Sequence, residues 1–188
     1  MKRTRFVLWV IVAAMVLMGA GYAAWSQTFT INSTVQTGHL YVKVQKAIED
    51  PSIDIDEGVN STTVNFTITD MYPGKSVQHV LRFTNQGTMP VRLKFNSGTY
   101  PENDPLWRDL VIEVNEEEVK SAGDTDIEDV GNKIAEILTN PVLAVGITRD
   151  ITITQTLDIS STDETESSSI SWSLGFVFEQ YNAPVINP

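Results

Sequence analysis

The chain has no cysteine, only two histidines, and far fewer basic than acidic residues. Its 188 residues include 13 Lys+Arg against 24 Asp+Glu, and the formal net charge is -11. Without cysteine, disulfides, thiol nucleophiles and Cys-ligated metal sites are excluded. The negative charge disfavours nucleic-acid binding, which depends on Lys and Arg contacts with phosphates. Stability must therefore come from a hydrophobic core, and nucleic acid is not an expected partner.

No catalytic arrangement is visible in the spacing of the remaining reactive residues. His39 and His79 are far apart, and neither belongs to a His-Glu-x-x-His helix of the kind that holds zinc. We expect both histidines to be solvated or hydrogen-bonded. The many Asp and Glu residues leave a hydrolase as an alternative, but no spacing singles out a pair that would act. We therefore predict that the protein is not an enzyme and uses no cofactor.

The N-terminus has the layout of a secretory signal peptide. Its basic residues, apolar run and small residues are Lys2, Arg3 and Arg5, then 6–20, then Gly21 and Ala23. The apolar run is shorter than the roughly 20 residues that cross a bilayer. We predict a signal peptide over 1–23, cleaved after Ala23 or Ala24, and a secreted mature chain. The membrane is then contacted only through the leader during export, and an uncleaved anchor is the alternative.

Most of the mature chain alternates apolar with polar residues, a pattern rich in β-branched and aromatic side chains that is typical of half-buried strands. The alternating segments are 40–45, 63–69, 77–84, 91–96, 110–114, 147–159 and 170–178, with turns expected at 72–75, 85–88 and 96–98. The spacing is too short for repeated βαβ units. We predict an all-β protein in which 24–188 forms a single antiparallel β-sandwich.

One segment has helical rather than strand periodicity. Its apolar residues fall on one helical face, Asp124 or Thr125 is the expected cap, and Asn140-Pro141 is the expected end. The apolar residues are Ile127, Val130, Ile134, Ile137 and Leu138. An acidic stretch begins nearby at Glu116. We interpret about 116–140 as an acidic helical insertion that decorates the sandwich.

Two further patterns give candidate binding or modification sites. Asp54, Asp56 and Glu57 stand before Gly58 and resemble part of a calcium loop, but the remaining ligands are missing and a solvated turn is the alternative. Three Asn-x-Ser/Thr sequons are candidate glycosylation sites in a host that has the machinery. These sequons begin at Asn32, Asn60 and Asn65.

Several segments, taken in order, carry a family resemblance. They are the junction 21–26, the segments 28–31 and 35–42, the Pro-Gly turn and strand at 71–88, and the closing strand at 172–182. Together they resemble the TasA/camelysin family of exported biofilm-matrix proteins, whose leaders are cut by the SipW type of signal peptidase. Some members have been called proteases, but this sequence has no metal motif for that activity, so it is not carried over.

The resemblance implies a jelly-roll-like sandwich that polymerises into fibres, with the N-terminal strand of one subunit completing a sheet of the next. The donor strand would run from Trp25 to Val35, with Trp25, Phe29 and Ile31 as anchors. Such strand addition satisfies the unpaired backbone groups of a sheet edge. The partner would be a second copy, head-to-tail, and other matrix proteins are further candidate partners. The alternative is that this strand folds back onto its own domain.

The sequence thus predicts a secreted structural subunit of an extracellular filament or matrix, at the cell surface or beyond it. The rival prediction is a monomeric cell-surface module that binds carbohydrate or protein. That rival needs exposed aromatic side chains on one face of the sandwich, for which Tyr100, Trp107 and Tyr181 are the candidates.

Overall fold

The computed structural model describes residues 2–25, 38–161 and 169–181. The chain divides into two compact units, Met1–Thr37 and Gly38–Pro188. In the first unit, the predicted leader forms helix α1 (Lys2–Trp25), and its side chains from 3 to 18 are exposed. Among the described helices, none combines the length and apolar character required to span a membrane.

The second unit contains nine strands and two helices in its described part. They are β1 (Val42–Lys46), β2 (Ile53–Gly58), β3 (Ser61–Ile68), β4 (Ser76–Asn85), β5 (Val91–Thr99), α2 (Pro105–Asp109), β6 (Leu110–Val114), β7 (Glu117–Lys120), α3 (Glu128–Thr139), β8 (Thr148–Leu157) and β9 (Ile170–Gln180). The strands form a five-stranded sheet, in the order β1-β4-β8-β6-β7, and a four-stranded sheet, in the order β2-β3-β9-β5. All strand pairs are antiparallel, so the predicted all-β sandwich is confirmed.

The strand order is nested in the manner of a jelly roll. From β3 to β6 the chain alternates between the two sheets, and each early strand pairs with a late one. Thus β3 lies beside β9, β4 beside β8, and β6 beside β7. Strand β5 should likewise have a late strand on its outer side, but helix α3 packs there instead. The helix therefore takes the place of one strand in the nested order.

The prediction that about 116–140 decorates the sandwich is therefore wrong. Strand β7 is hydrogen-bonded into the five-stranded sheet, and α3 contributes Val130, Ile134 and Leu138 to the core. The expected cap is also wrong, because the helix begins at Glu128 and the Asp126 carboxylate accepts a hydrogen bond from the Glu128 N–H at 2.8 Å. A helical period within an acidic segment does not reveal which surface covers its apolar face.

Two of the three predicted turns are confirmed and the third is wrong. Gly74 has φ 80° and Lys75 N–H donates to the Tyr72 carbonyl at 2.9 Å, while the Asn85 side chain accepts from Gly87 N–H at 3.0 Å. The expected turn at 96–98 instead lies inside β5, where the pairing with β9 shifts between Phe95 and Ser97. The polar residues that suggested a turn form a β-bulge.

The core is organised around a row of aromatic side chains between the sheets. Trp107 stacks on Tyr100 at a ring-centroid distance of 5.1 Å and lies 5.8 Å from Trp172, which stacks on Phe66 at 4.2 Å. Trp172 also donates its indole N–H to the Gln155 side chain at 2.9 Å. This polar contact links the two sheets because Gln155 is on β8 and Trp172 on β9.

The close packing of α3 on β5 depends on a glycine in the helix. A Cβ atom added to Gly131 would lie 2.0 to 2.5 Å from three ring atoms of Phe95. The helix can therefore approach the strand only while position 131 lacks a side chain.

We expect Gly131→Ala to destabilise the protein by about 1–3 kcal/mol through overpacking. This cost outweighs the helix propensity of alanine, which alone would stabilise by about 1 kcal/mol. Asn132→Ala is the matched control, because Asn132 is the exposed neighbour in the same turn and should change stability little. Urea unfolding of both variants measures the difference, and a Gly131→Ala variant as stable as the control would contradict the packing argument.

Candidate assembly site: the open side of the sandwich

The outermost strands of the two sheets are β1 and β7 in one sheet and β2 and β5 in the other. An outermost strand presents unpaired backbone groups that can pair with another chain unless they are covered, shortened or charged. The four edges of this sandwich differ in that respect.

The outer edge of β5 is covered. The Thr139 hydroxyl, at the end of α3, accepts from Leu93 N–H and donates to Leu93 C=O, both at 3.2 Å. Beyond the helix, Val91 and Leu143 exchange backbone hydrogen bonds of 3.0 and 3.1 Å. The side chain of Asn85 supports the contact between Val91 and Leu143, since its buried amide donates to the Leu143 carbonyl at 2.9 Å.

The edge of β7 is short and acidic. Its four residues include Glu117 and Glu118, and Glu116 precedes them. Lys133 of α3 forms an ion pair with Glu117 at 2.7 Å. Short edge strands with charged side chains resist pairing with another chain, so helix and charge together close this side of the sandwich.

The outer edge of β1 is open in the described part of the chain. The Tyr41 carbonyl and the Ala47 N–H bond to the segment containing β4, at 2.9 and 2.8 Å. Backbone groups alternate between the two sides of a strand, so those of Val42, Val44 and Lys46 face away from β4. Among the described residues, none of these outward groups has a backbone partner.

Strand β2 is open on the same side of the sandwich. The Ser52 carbonyl accepts from Thr67 N–H at 2.7 Å, so Ser52, Asp54 and Asp56 bond towards β3. The backbone groups of Ile55 and Glu57 consequently face outward, and no described residue pairs with them. One lateral side of the sandwich is therefore closed by α3, and the opposite side carries two open strands.

The two open strands have opposite charge. Strand β1 carries Lys43 and Lys46 and no acidic residue, whereas β2 carries Asp54, Asp56 and Glu57 and no basic residue. Lys46 is partly engaged, since its ammonium group donates to the Asp50 carbonyl at 2.7 Å. A neighbouring strand would thus meet a basic edge on one sheet and an acidic edge on the other.

Of the predicted polymerisation strand, only Trp25 is described. It is the last residue of α1, so in this structure it ends a helix and does not start a strand. Phe29, Ile31 and Val35 lie outside the described residues. The compact sandwich unit begins at Gly38, directly after this segment.

The calcium candidates Asp54, Asp56 and Glu57 lie on strand β2 and not in a loop. Alternation along a strand places Asp54 and Asp56 on the outer face and Glu57 on the opposite face. The Asp56 carboxylate accepts from the Asn65 side chain at 3.1 Å. Across the described ranges, no three His, Asp or Glu side chains are grouped so that they could hold a metal ion.

Two of the three sequons are described. Asn60 is exposed in the hairpin between β2 and β3 with φ 56°, whereas Asn65 is half-buried on β3 and bonded to Asp56. Asn32 lies outside the described residues. Of the two described asparagines, Asn60 is the one whose side chain is accessible for modification.

The structure does not bring the three aromatic candidates together on an exposed face. Trp107 is fully buried, and its indole N–H donates to the Thr125 carbonyl at 3.1 Å. Tyr100 is half-buried against it and Tyr181 is half-buried after β9. Trp107 therefore does not supply the exposed aromatic side chain that the rival binding-module prediction needs.

A buried histidine cluster was missed by sequence reasoning. His79 Nδ1 lies 2.6 Å from the Asp50 carboxylate, and the Ser52 hydroxyl bonds the same carboxylate. Desolvation opposes ionisation of Asp50, but its hydrogen bonds with Ser52 and His79 outweigh this and lower its pKa. The other ring nitrogen of His79 is buried without a partner among the described atoms. The Ser52 hydroxyl also lies 3.5 Å from Nδ1, so the hydroxyl and the carboxylate contact the same ring nitrogen. A hydrolase triad needs them on different nitrogens of the histidine, so this cluster is not such a triad.

A buried lysine was also missed. Lys120, at the end of β7, is fully buried, and its ammonium group donates to the Trp107 and Leu110 carbonyls at 2.9 and 2.7 Å. It also lies 4.9 Å from the centre of the Trp107 ring. Burial lowers the pKa of Lys120 to about 8, although Asp124 and Asp109 act in the opposite direction. The contacts are structural, since they tie β7 to α2 and to the start of β6.

Lys120 gives the stability a predictable pH dependence. Its pKa is about 8 in the folded state against 10.5 for an ordinary lysine, so the unfolded chain binds more protons between these values. The contribution of Lys120 to stability should therefore rise as the pH rises from about 8 to 10.5. Urea midpoints of wild type and Lys120→Met across this range test it. The wild type should gain stability relative to the variant, whereas parallel curves would contradict the assignment.

Comparison with protein-family models gives no match, and comparison with curated protein sequences gives none either. The family resemblance and the function inferred from it are therefore argued from the residues and the fold.

Proposed function

We propose that the chain is a secreted structural subunit of an extracellular filament or biofilm matrix, without catalytic activity, that polymerises head-to-tail through its N-terminal segment. The observation that carries the proposal is the open outer edge of β1. Such an edge accepts an additional strand through main-chain hydrogen bonds. The partner is another copy of the chain, and further matrix proteins are possible partners of the same edge.

The N-terminal segment has the character of a donor strand. Phe29, Ile31 and Val35 fall on one face of an extended strand, which they share with Ser33, and polar residues occupy the other face. When such a segment extends along β1, its apolar residues face the core side, where Val42 and Val44 are already buried. The donor and acceptor surfaces are different parts of one chain. A contact of this type does not close on itself, so repeated addition gives a filament.

Leader cleavage makes the donor segment available in this proposal. While the leader is present, Trp25 belongs to the helix that contains it. Cleavage after Ala23 or Ala24 would leave Trp25 near a free N-terminus, where it can adopt an extended conformation. Assembly would thereby be restricted to the exported chain.

The proposal predicts that filament formation depends on the apolar residues of the N-terminal segment. Mature protein beginning at Ala24 should form filaments visible by negative-stain electron microscopy, and a version lacking 24–35 should not. Phe29→Asp should abolish filaments, because a buried unpaired carboxylate is strongly unfavourable.

Thr30→Asp is the matched control, since it adds the same charge on the opposite face of the segment and should retain filaments. Circular dichroism and thermal unfolding establish that each variant keeps a folded sandwich. A wild-type mature protein that stays monomeric at all concentrations and salt conditions, or equal loss in both aspartate variants, would overturn the proposal.

A further inference from the structure

The open side of the sandwich fits a second copy of itself. Strands β1 and β2 belong to different sheets but lie close together on one lateral side. A two-fold rotation about an axis parallel to the strands puts the four-stranded sheet of the second copy level with the five-stranded sheet of the first, and the reverse. It therefore brings β1 of one copy next to β2 of the other, and β2 next to β1, at the same time.

The backbone directions suit this pairing. Strands β1 and β2 are consecutive, and only the short connection 47–52 joins them. Because so short a connection between neighbouring strands requires the chain to reverse, we infer that the two strands run in opposite directions. A rotation about the strand direction preserves this relation, so β1 and the β2 of a second copy would be antiparallel. All other strand pairs in the sandwich are antiparallel as well.

The alternation of hydrogen-bonding groups and side chains is also compatible. On β1 the residues with outward backbone groups, Val42 and Val44, have buried side chains. On β2, Ile55 likewise has outward backbone groups and a side chain that packs on the core. When outward backbone groups pair, core-facing side chains therefore meet core-facing side chains. A shift of one residue in one direction would place both valines beside aspartates. With Val44 opposite Ile55, the one valine that stands opposite a carboxylate is Val42, and that carboxylate is the exposed Glu57 near the end of β2.

The charges complement each other in the same arrangement. On the exposed faces of the paired strands, Lys43 would lie beside the carboxylates of β2. The basic strand of one copy would thus pair with the acidic strand of the other. With Val44 opposite Ile55, Lys43 stands opposite Asp56 and Gln45 stands opposite Asp54. Each contact occurs twice because of the two-fold symmetry. Pairing of β1 with another β1, or of β2 with another β2, would bring like charges together.

We propose that two copies of this protein dock through their open sides into a closed dimer. In this dimer, the five-stranded sheet of each copy continues into the four-stranded sheet of the other. The dimer satisfies the outward backbone groups of both open strands. It also occupies the β1 edge, so, insofar as the proposed filament function holds, the dimer is a soluble form that cannot accept a donor strand.

Cysteine cross-linking tests the geometry directly, because the natural chain contains no cysteine. One mature chain carries Gln45→Cys and the other Asp54→Cys, both at exposed positions. With a mild oxidant, the mixture should give a disulfide-linked heterodimer, while neither variant alone should form that product. Positions 45 and 54 would form a non-hydrogen-bonded pair with Cα atoms about 4.5 Å apart, which suits a disulfide.

Gln78→Cys is the matched control, since Gln78 is exposed on the outer face of β4 and away from the open side. Mixed with Asp54→Cys, it should cross-link only at the rate of random collisions. If the Gln45 and Asp54 positions cross-link no faster than this control, the proposed dimer is overturned.

Charge variants test the energetics. In analytical ultracentrifugation at low salt, Lys43→Glu should weaken dimerisation about tenfold, because one ion pair becomes a repulsion at two symmetric positions. Asp56→Lys should weaken it similarly. The double variant should restore most of the affinity, since the charges are exchanged. No loss in the single variants, or no recovery in the double variant, would count against the pairing of β1 with β2.

The dimer and the filament can fail independently. Deleting 24–35 should abolish filaments and leave the dimer unchanged, because only β1 and β2 form it. Filament loss with an intact dimer therefore concerns the donor segment alone. A truncated chain that is monomeric at every concentration overturns the dimer, whatever the full mature chain does.

Discussion

The architecture of this protein depends on how the backbone groups at the sheet edges find partners. Buried or semi-buried N–H and C=O groups without hydrogen bonds are costly, and an open edge invites pairing with another chain. On one side of the sandwich α3 solves the problem, because Thr139 bonds to the backbone of β5 and Lys133 neutralises a charge of β7. On the other side the described residues leave β1 and β2 unpaired. The two sides of the sandwich therefore differ in how much of their edge backbone is paired by the described residues.

The helix is as important for the core as for the edge. It takes the position that a strand would occupy in the nested order, and Gly131 allows it to pack closely on Phe95. Elsewhere in the core, the row of aromatic side chains ends at Phe66 and His79, on the strands next to β2 and β1. Three buried polar side chains contact the same row. Gln155 and the His79–Asp50 pair fix side chains between the sheets, and Lys120 anchors β7, so the sandwich is specified by polar contacts as well as by apolar burial.

Both proposals use the open side, but they differ in the partner and in the type of symmetry. A donor strand from the N-terminal segment makes a head-to-tail contact that propagates, whereas pairing of β1 with β2 makes a two-fold contact that closes. Because both occupy the edge of β1, the two forms exclude each other. A subunit of this kind would have a soluble form and a polymerising form, and the balance would depend on whether the donor segment is free and on the ionic strength.

The sequence by itself determined most of the strands, because apolar alternation with β-branched and aromatic residues depends on local geometry alone. The confirmed strands include β3, β4, β5 and β9, and the Pro73-Gly74 turn followed from the φ preferences of its residues. Strand β2 was mistaken for a turn, since Asp54, Asp56 and Glu57 read as a solvated loop when their pairing with β3 is unknown. Only the tertiary structure decided that α3 covers β5, that Trp107 and Lys120 are buried, and that β1 and β2 are open on one side. These features depend on contacts between residues distant in sequence, and local patterns carry no information about which distant surface will cover a given face.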